Sequence, residues 1–127
     1  MSAVKNGTAQ AEAGGIFAAE LRRELSARGR LAPEASSAPE LNAELVALRT
    51  APSGVGVEGG AVSYRLDAEL RLRAGDYQDV VVGGEDYLTG VDVLGTEANR
   101  RAALRRLARG LAAEAIERYE VTERFAR

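Results

Sequence analysis

From Val62 to Arg73 the chain alternates without a break. Val62, Tyr64, Leu66, Ala68, Leu70 and Leu72 fall on one side, and Ser63, Arg65, Asp67, Glu69, Arg71 and Arg73 on the other. A period of two is the mark of a strand with one face in a core and the other in water. At roughly 3.3 Å per residue, such a strand spans on the order of 40 Å. The usual strand has only about 5–6 residues. The ribbon is therefore longer than a small core requires, which points to an extended structure that projects into something.

The strand needs partners. Ala74-Gly75-Asp76 provides a short hairpin turn. Tyr77 to about Leu88 then returns antiparallel, with Val80, Val81 and Val82 at its middle and Gly83-Gly84 as an expected bulge or bend. Upstream, Leu41–Thr50 also alternates, with Leu41, Ala43, Leu45 and Ala47 opposite Asn42, Glu44, Val46 and Leu48. Propensity alone allows a helix there, but the neighbouring strands favour a third. Leu31–Pro39 reads as a loop and Pro52–Gly60 as a flexible connection. At the beginning, Ser2–Lys5 is a very short strand candidate, followed by the turn signal Asn6-Gly7.

Two segments follow the helical period instead. Between Ala11 and Arg28, Ile16, Phe17, Leu21 and Leu25 share a face, and Gly29 is a natural terminator. Gly14 and Gly15 each cost about 1 kcal/mol relative to Ala, so the helix is expected to firm up near Ile16. From Thr96 to Tyr119, Leu104, Leu107, Ala108, Leu111, Ala115, Ile116 and Tyr119 form an apolar stripe. Thr96 is the expected N-cap, with Glu97 suited to the positive end of the helix. Arg100, Arg101, Arg105, Arg106 and Arg109 crowd the remaining faces. They read as a solvated face or as a surface for phosphates and acids.

The order is thus β-α-β-β-β-α. Each strand has one apolar side, so both helices are expected on one face of a four-stranded mixed sheet. The fold class is α+β, a two-layer sandwich, and residues 1–127 are expected to form one domain.

Composition excludes several functions. The chain has no Cys and no His, which removes disulfides, thiolate nucleophiles, the usual zinc sites and imidazole acid/base chemistry. Lys5 is the only lysine that could serve a Ser or Thr as base. Asp76, Asp79, Glu85, Asp86 and Asp92 cluster around the last strand, a pattern common at turns and edges. Gly54–Gly59 faintly resembles a phosphate loop, but lacks the Lys-Ser/Thr pair and a following helix. No catalytic residue, metal or cofactor is expected. A net charge of −2 argues against nucleic acid as a partner. No apolar run is long enough to span a bilayer.

With both helices on one face, the opposite face of the sheet is free, and on its central strand it carries Arg65, Asp67, Glu69, Arg71 and Arg73. Arginine's rigid fork of donors matches phosphate and carboxylate. The interleaved acids favour internal pairing. The face is a solvated surface or a site for a partner or anionic ligand.

Several segments, in order, resemble the LptE family of lipopolysaccharide-assembly lipoproteins. TEANRRAALRRLA (Thr96–Ala108) is similar to the family's C-terminal helix, and Val80–Leu94 (VVVGGEDYLTGVDVL) to its last strand and connection. Val4–Thr8 (VKNGT) resembles the end of its first strand, and Phe17–Gly29 (FAAELRRELSARG) its first helix. The resemblance implies a non-enzymatic outer-membrane lipoprotein on the periplasmic side. It also implies a plug inside the LptD β-barrel that assists barrel assembly and helps deliver lipopolysaccharide to the surface. Basic residues on the family's sheet and loops are implicated in lipopolysaccharide contact, which makes Arg65, Arg71 and Arg73 the candidates here. The signal peptide and lipidated Cys of the family are not in this sequence and the first strand is short, so the native start and N-terminal lipid anchor are expected upstream of Met1. The other reading is a free-standing periplasmic domain that binds an anionic lipid or glycan.

Overall fold

The computed structural model of the chain describes residues 4–8, 10–29, 41–56 and 60–125. Its elements are β1 (Lys5–Asn6), α1 (Ala11–Ala27), β2 (Asn42–Val55), β3 (Ala61–Ala74), β4 (Tyr77–Leu88) and α2 (Val93–Phe125). The four strands form one sheet in the order β1-β2-β3-β4. β1 lies parallel to β2, and the other neighbours are antiparallel. This is the expected α+β arrangement.

β3 carries the architecture. It is paired with β2 on one side and β4 on the other. Its alternating row Leu66, Ala68, Leu70 and Leu72 is buried. Leu41 just before β2, Ala43 and Leu45 within it, and Val81 and Tyr87 from β4 join that row. α1 contributes Ala13, Phe17, Leu21 and Leu25, spaced by four so that they stack along one stripe. α2 contributes Leu104, Leu107, Leu111 and Ile116, with Ala103, Ala108, Ala112 and Ala115 between them. Those alanines leave room for α1 to lie close against α2. All of these side chains lie on one side of the sheet, and both helices cover that side. At about 3.3 Å per strand residue and 1.5 Å per helical residue, the long strands and α2 each run roughly 45–50 Å.

The structure corrects several local expectations. β2 does not end at Thr50; it continues to Val55 because Ala61–Leu66 of β3 supplies a partner for it. Much of the expected connection is therefore strand, and residues 57–59 lie outside the described part. The alternation of β2 also breaks. A register shift between Leu45 and Ala47 makes Val46 an extra residue. Beyond it Leu48 packs against the core, opposite Ala68, and Ala47 turns to the free face opposite Glu69. Gly83-Gly84 is no bulge, since the β3–β4 register is continuous through Ala68↔Gly83 and Asp67↔Gly84. Gly83 instead admits α2: a Cβ there would meet Leu111 Cδ2 at 3.0 Å.

The helix boundaries show similar corrections. α1 is regular from Ala11, and Gly14 is buried in it, where a Cβ would meet that of Asn6 at 3.1 Å. Its glycine serves the close approach of β1. At the other end Gly29 has φ 67° and its N–H donates to Ser26 O at 3.0 Å, as a helix-ending glycine does. α2 starts at Val93, three residues before Thr96. Its cap is Asp92, whose Oδ1 accepts the N–H of Gly95 at 2.7 Å. Thr96 lies inside the first turn and its Oγ1 accepts from Gly90 N at 2.8 Å. Among the described residues the first strand is Lys5–Asn6, one residue beyond the expected end at Lys5; Ser2 and Ala3 of the expected Ser2–Lys5 lie outside the described part. So does the expected loop Leu31–Pro39.

The hairpin turn is Gly75-Asp76, with Gly75 at φ 57°. A two-residue turn of this hand needs a residue with positive φ, and glycine takes it without strain.

Two aromatic pairs close the core. Tyr77 meets Tyr119 edge-on at 5.1 Å, and Tyr64 stacks on Tyr87 at 5.5 Å between centroids. Burial raises the phenol of Tyr77, with Asp79 adding to it, and burial followed by Tyr64 raises that of Tyr87.

Three outcomes follow from this packing. Gly83→Val forces a side chain against Leu111 and is expected to cost about 1–3 kcal/mol in urea unfolding. Asp92→Ala removes the α2 cap and is expected to cost about 0.5–2 kcal/mol in the same measurement. Thirdly, Tyr77 and Tyr87 ionise near the ordinary 10.0 in the unfolded chain but at higher pH when folded. Their contribution is complete below that value and is lost as pH rises through the folded pKa values. The melting temperature should therefore drop above about pH 10, and replacing both tyrosines by Phe should remove part of the drop.

Candidate functional site

The free face of the sheet is built by the second half of each strand's alternation. β3 presents Arg65, Asp67, Glu69, Arg71 and Arg73. β2 adds Glu44 opposite Arg71, Ala47 opposite Glu69 and Arg49 opposite Asp67. β4 adds Val80, Val82, Gly84 and Asp86 opposite Arg71, Glu69, Asp67 and Arg65. Among the described residues, nothing covers this face. Its middle holds a shallow depression of about 440 Å³ bordered by Ala47, Arg49, Arg65, Asp67, Glu69 and Val82.

The three arginines expected from sequence share the face but differ in availability. Arg65 donates from Nε to Asp67 Oδ1 at 3.1 Å, and its Nη1 lies 3.7 Å from Asp86 Oδ2. Gly84 makes room for this pair, since a Cβ there would meet Asp67 Oδ1 at 2.6 Å. Arg71 donates from Nη1 to Glu44 Oε1 at 3.3 Å, while its Nε is buried without a hydrogen-bond partner. Arg73 is exposed and has no ion pair among the described residues. Arg49 is in the same condition. Sequence reasoning missed Arg49 because the shift at Val46 changes the face on which it falls. The exposed pairs of Arg65 contribute only about 0–1 kcal/mol each, so an incoming anion or partner can exchange with them.

The arginines of α2 are mostly engaged in joining elements. Arg100 is the most enclosed of them, with its side chain 17% exposed. It donates to Gln10 Oε1 at 2.9 Å, bonds Glu12 of α1, and pairs with Glu97 at 3.1 Å. Burial, followed by the neighbouring Arg101, lowers its pKa. Arg101 also approaches Glu12 and Glu97, at 3.6 and 3.5 Å. Arg106 meets Glu85 at 3.2 Å and Arg109 meets the buried Glu20 at 3.7 Å. Arg105 alone of the five has no ion pair among the described residues. Near its C-terminus Arg118 is raised by its hydrogen bond to Asp79.

The acidic cluster of the last strand does not converge. Asp79 pairs with Arg118 at 3.3 Å and accepts from Val80 N at 2.9 Å. Glu85 goes to Arg106, Asp86 to Arg65, and Asp92 caps α2. No three acidic side chains are placed to hold a metal ion among the described residues. The glycine run is divided: Gly54 and Val55 are in β2. No helix of the described residues is long and apolar enough to cross a membrane.

What this arrangement offers is a long, uncovered, mixed-charge surface. The fold is shared with solved lipoproteins. The chain is similar to the rare lipoprotein B from Shewanella oneidensis at 12% identity and a TM-score of 0.63, covering 95% of this chain and 94% of that one. It is similar to a minor lipoprotein from Acinetobacter baumannii at 10% identity and a TM-score of 0.56, covering 94% and 90% respectively. No curated protein matches the chain in sequence. The LptE family model, described as lipopolysaccharide-assembly, matches residues 1–119. The chain therefore belongs to the LptE family of lipopolysaccharide-assembly proteins.

Proposed function

We propose that residues 1–127 act as one domain that plugs the LptD β-barrel from the periplasmic side of the outer membrane. In that position it assists barrel assembly and helps deliver lipopolysaccharide to the cell surface. An N-terminal lipid anchor would hold it at the membrane. The role is one of fit and contact, without catalysis.

The observation that carries this reading is the uncovered face of the sheet. A small domain needs only one buried side, yet here the strands run roughly 45 Å, and their second side is lined with exchangeable ion pairs. A partner surface or a phosphate-bearing lipid can satisfy those charges. Arg73 and Arg49 are the cations best placed for an anionic lipid, because no acid of the described residues holds them. Arg65 and Arg71 can follow by releasing Asp67, Asp86 and Glu44.

Two measurements test the reading. The purified chain should bind lipopolysaccharide, and Arg73→Glu should weaken that binding about three- to tenfold at low salt, with the difference shrinking as salt screens it. Co-expressed LptD should co-purify with the chain. Lipopolysaccharide binding with no barrel recovered would favour the free-standing periplasmic binder instead. Loss of neither binding nor recovery on reversing Arg49, Arg65, Arg71 and Arg73 together would remove the face from the account.

A further inference from the structure

The two long edges of the sheet are treated differently. β2 presents its outer edge beyond the short β1, but register shifts between Pro52 and Gly54 and between Gly54 and Val55 distort it, and Pro52 has no N–H. Bulges and proline are the usual means of making an edge unfit for pairing. β4 is the other edge strand. It runs from Tyr77 to Leu88 with continuous register and no proline, lysine or arginine.

The pairing fixes which backbone groups face outward. Ala74 and Tyr77 flank the two-residue turn, so they exchange both backbone bonds. In an antiparallel ladder this alternates, which turns the N–H and C=O groups of Val80, Val82, Gly84, Asp86 and Leu88 away from β3. Thr89 N donating inward to Val62 O at 3.0 Å agrees with that phase.

Some of these groups are occupied from within the chain. Val80 N–H donates to Asp79 Oδ1 at 2.9 Å. Asp86 O accepts from Arg106 Nη2 at 3.3 Å, and Leu88 O from Asn99 Nδ2 at 2.9 Å. Between these stoppers lies an open stretch, from Val80 O through Val82 and Gly84 to Asp86 N–H. A groove of about 220 Å³ runs beside it, between the edge and α2, and includes Val82, Gly84, Gly110 and Leu111 in its wall. A Cβ on Gly110 would meet nothing within 4 Å, so the groove is open above. Val82 is 63% exposed, an aliphatic side chain beside unpaired backbone.

We propose that the edge of β4 from Val80 to Asp86, with the adjoining groove against α2, takes an extended loop segment of the barrel partner by strand addition. This rests on the barrel reading given above. A second copy of the chain fits poorly. The charged residues of β4 are Asp79, Glu85 and Asp86, all acidic. Self-pairing must set outward-facing residues opposite one another, and the antiparallel register centred on Val82 that does so also sets Asp79 opposite Glu85. Like charges directly opposed destabilise a ladder. The segment that fits carries a Lys or Arg near its ends and a small or aliphatic residue over Gly110. Backbone bonds supply the attachment and the groove supplies the selectivity.

Amide hydrogen exchange on the full chain, free and co-purified with LptD, tests this. The Val82, Gly84 and Asp86 amides should exchange quickly in the free chain and about tenfold or more slowly in the complex. Val82→Pro removes one outward N–H where an edge tolerates proline, and should reduce LptD recovery about fivefold or more while melting remains cooperative. Val82→Lys, which keeps the N–H but sets a charge on the edge of the kind that blunts strand pairing, gives the same reading should the proline variant fail to fold. LptD recovered with these amides still unprotected would overturn the edge proposal and leave the barrel reading standing. No LptD recovered by the unaltered chain would overturn both. Protection in the free chain that grows with concentration, together with a dimer in sedimentation, would assign the edge to a second copy and overturn the proposal.

Discussion

β3 is paired along both sides, and its side chains alternate between a buried aliphatic row, Leu66, Ala68, Leu70 and Leu72, and a charged row from Arg65 to Arg73. Slipping its register by one residue would place five charged side chains under two helices and four aliphatic ones in water. That penalty fixes where β2 and β4 pair and which face the helices cover. The helices answer it with stripes of matching length: α1 through Ala13, Phe17, Leu21 and Leu25, and α2 from Ala103 to Tyr119. The free face is thus a consequence of how the core is made.

Charge organises the rest. Arg100 of α2 ties to Glu12 at the start of α1, and Arg28 at the end of α1 pairs with Glu120 of α2 at 2.5 Å. The two helices are therefore linked by ion pairs near both ends of α1, with Arg109–Glu20 between them. On the free face Arg65 makes exposed pairs with Asp67 of its own strand and Asp86 of β4, and Arg71 makes a half-buried one with Glu44 of β2. Those between the helices are part of the packing. Those on the sheet are weak enough to be exchanged for a partner's groups.

Much of this was legible in the sequence because it is periodic. The alternation of Val62–Arg73 and the stripe from Leu104 to Tyr119 each report their own element and its buried side. What stayed hidden depends on contacts between distant segments. Pro52–Val55, the first part of the stretch Pro52–Gly60 that reads as a connection, contains Pro, Ser and Gly, yet pairing with β3 draws it into the sheet. The extra residue at Val46 has no signature of its own, and it moves Arg49 and Leu48 to opposite faces from those their spacing implies. Asp92 looks like one acid among several until the turn beside it shows it capping α2. The candidate arginines were found by residue type and face. Which of them are held by acids could only come from the register that sets Glu44 beside Arg71 and Asp86 beside Arg65.

The central claim is that one face of the sheet is bare in the free chain and covered by a partner in its working state. The chain has no cysteine, so a single one reports without interference. Glu69→Cys lies at the middle of the free face, and Arg105→Cys on the exposed side of α2 serves as a reference. Maleimide labelling rates measured on the isolated chain and on the LptD complex decide the matter. The cysteine at position 69 should react as fast as the reference in isolation and at least about tenfold more slowly in the complex. Equal reactivity at position 69 in both states would contradict it.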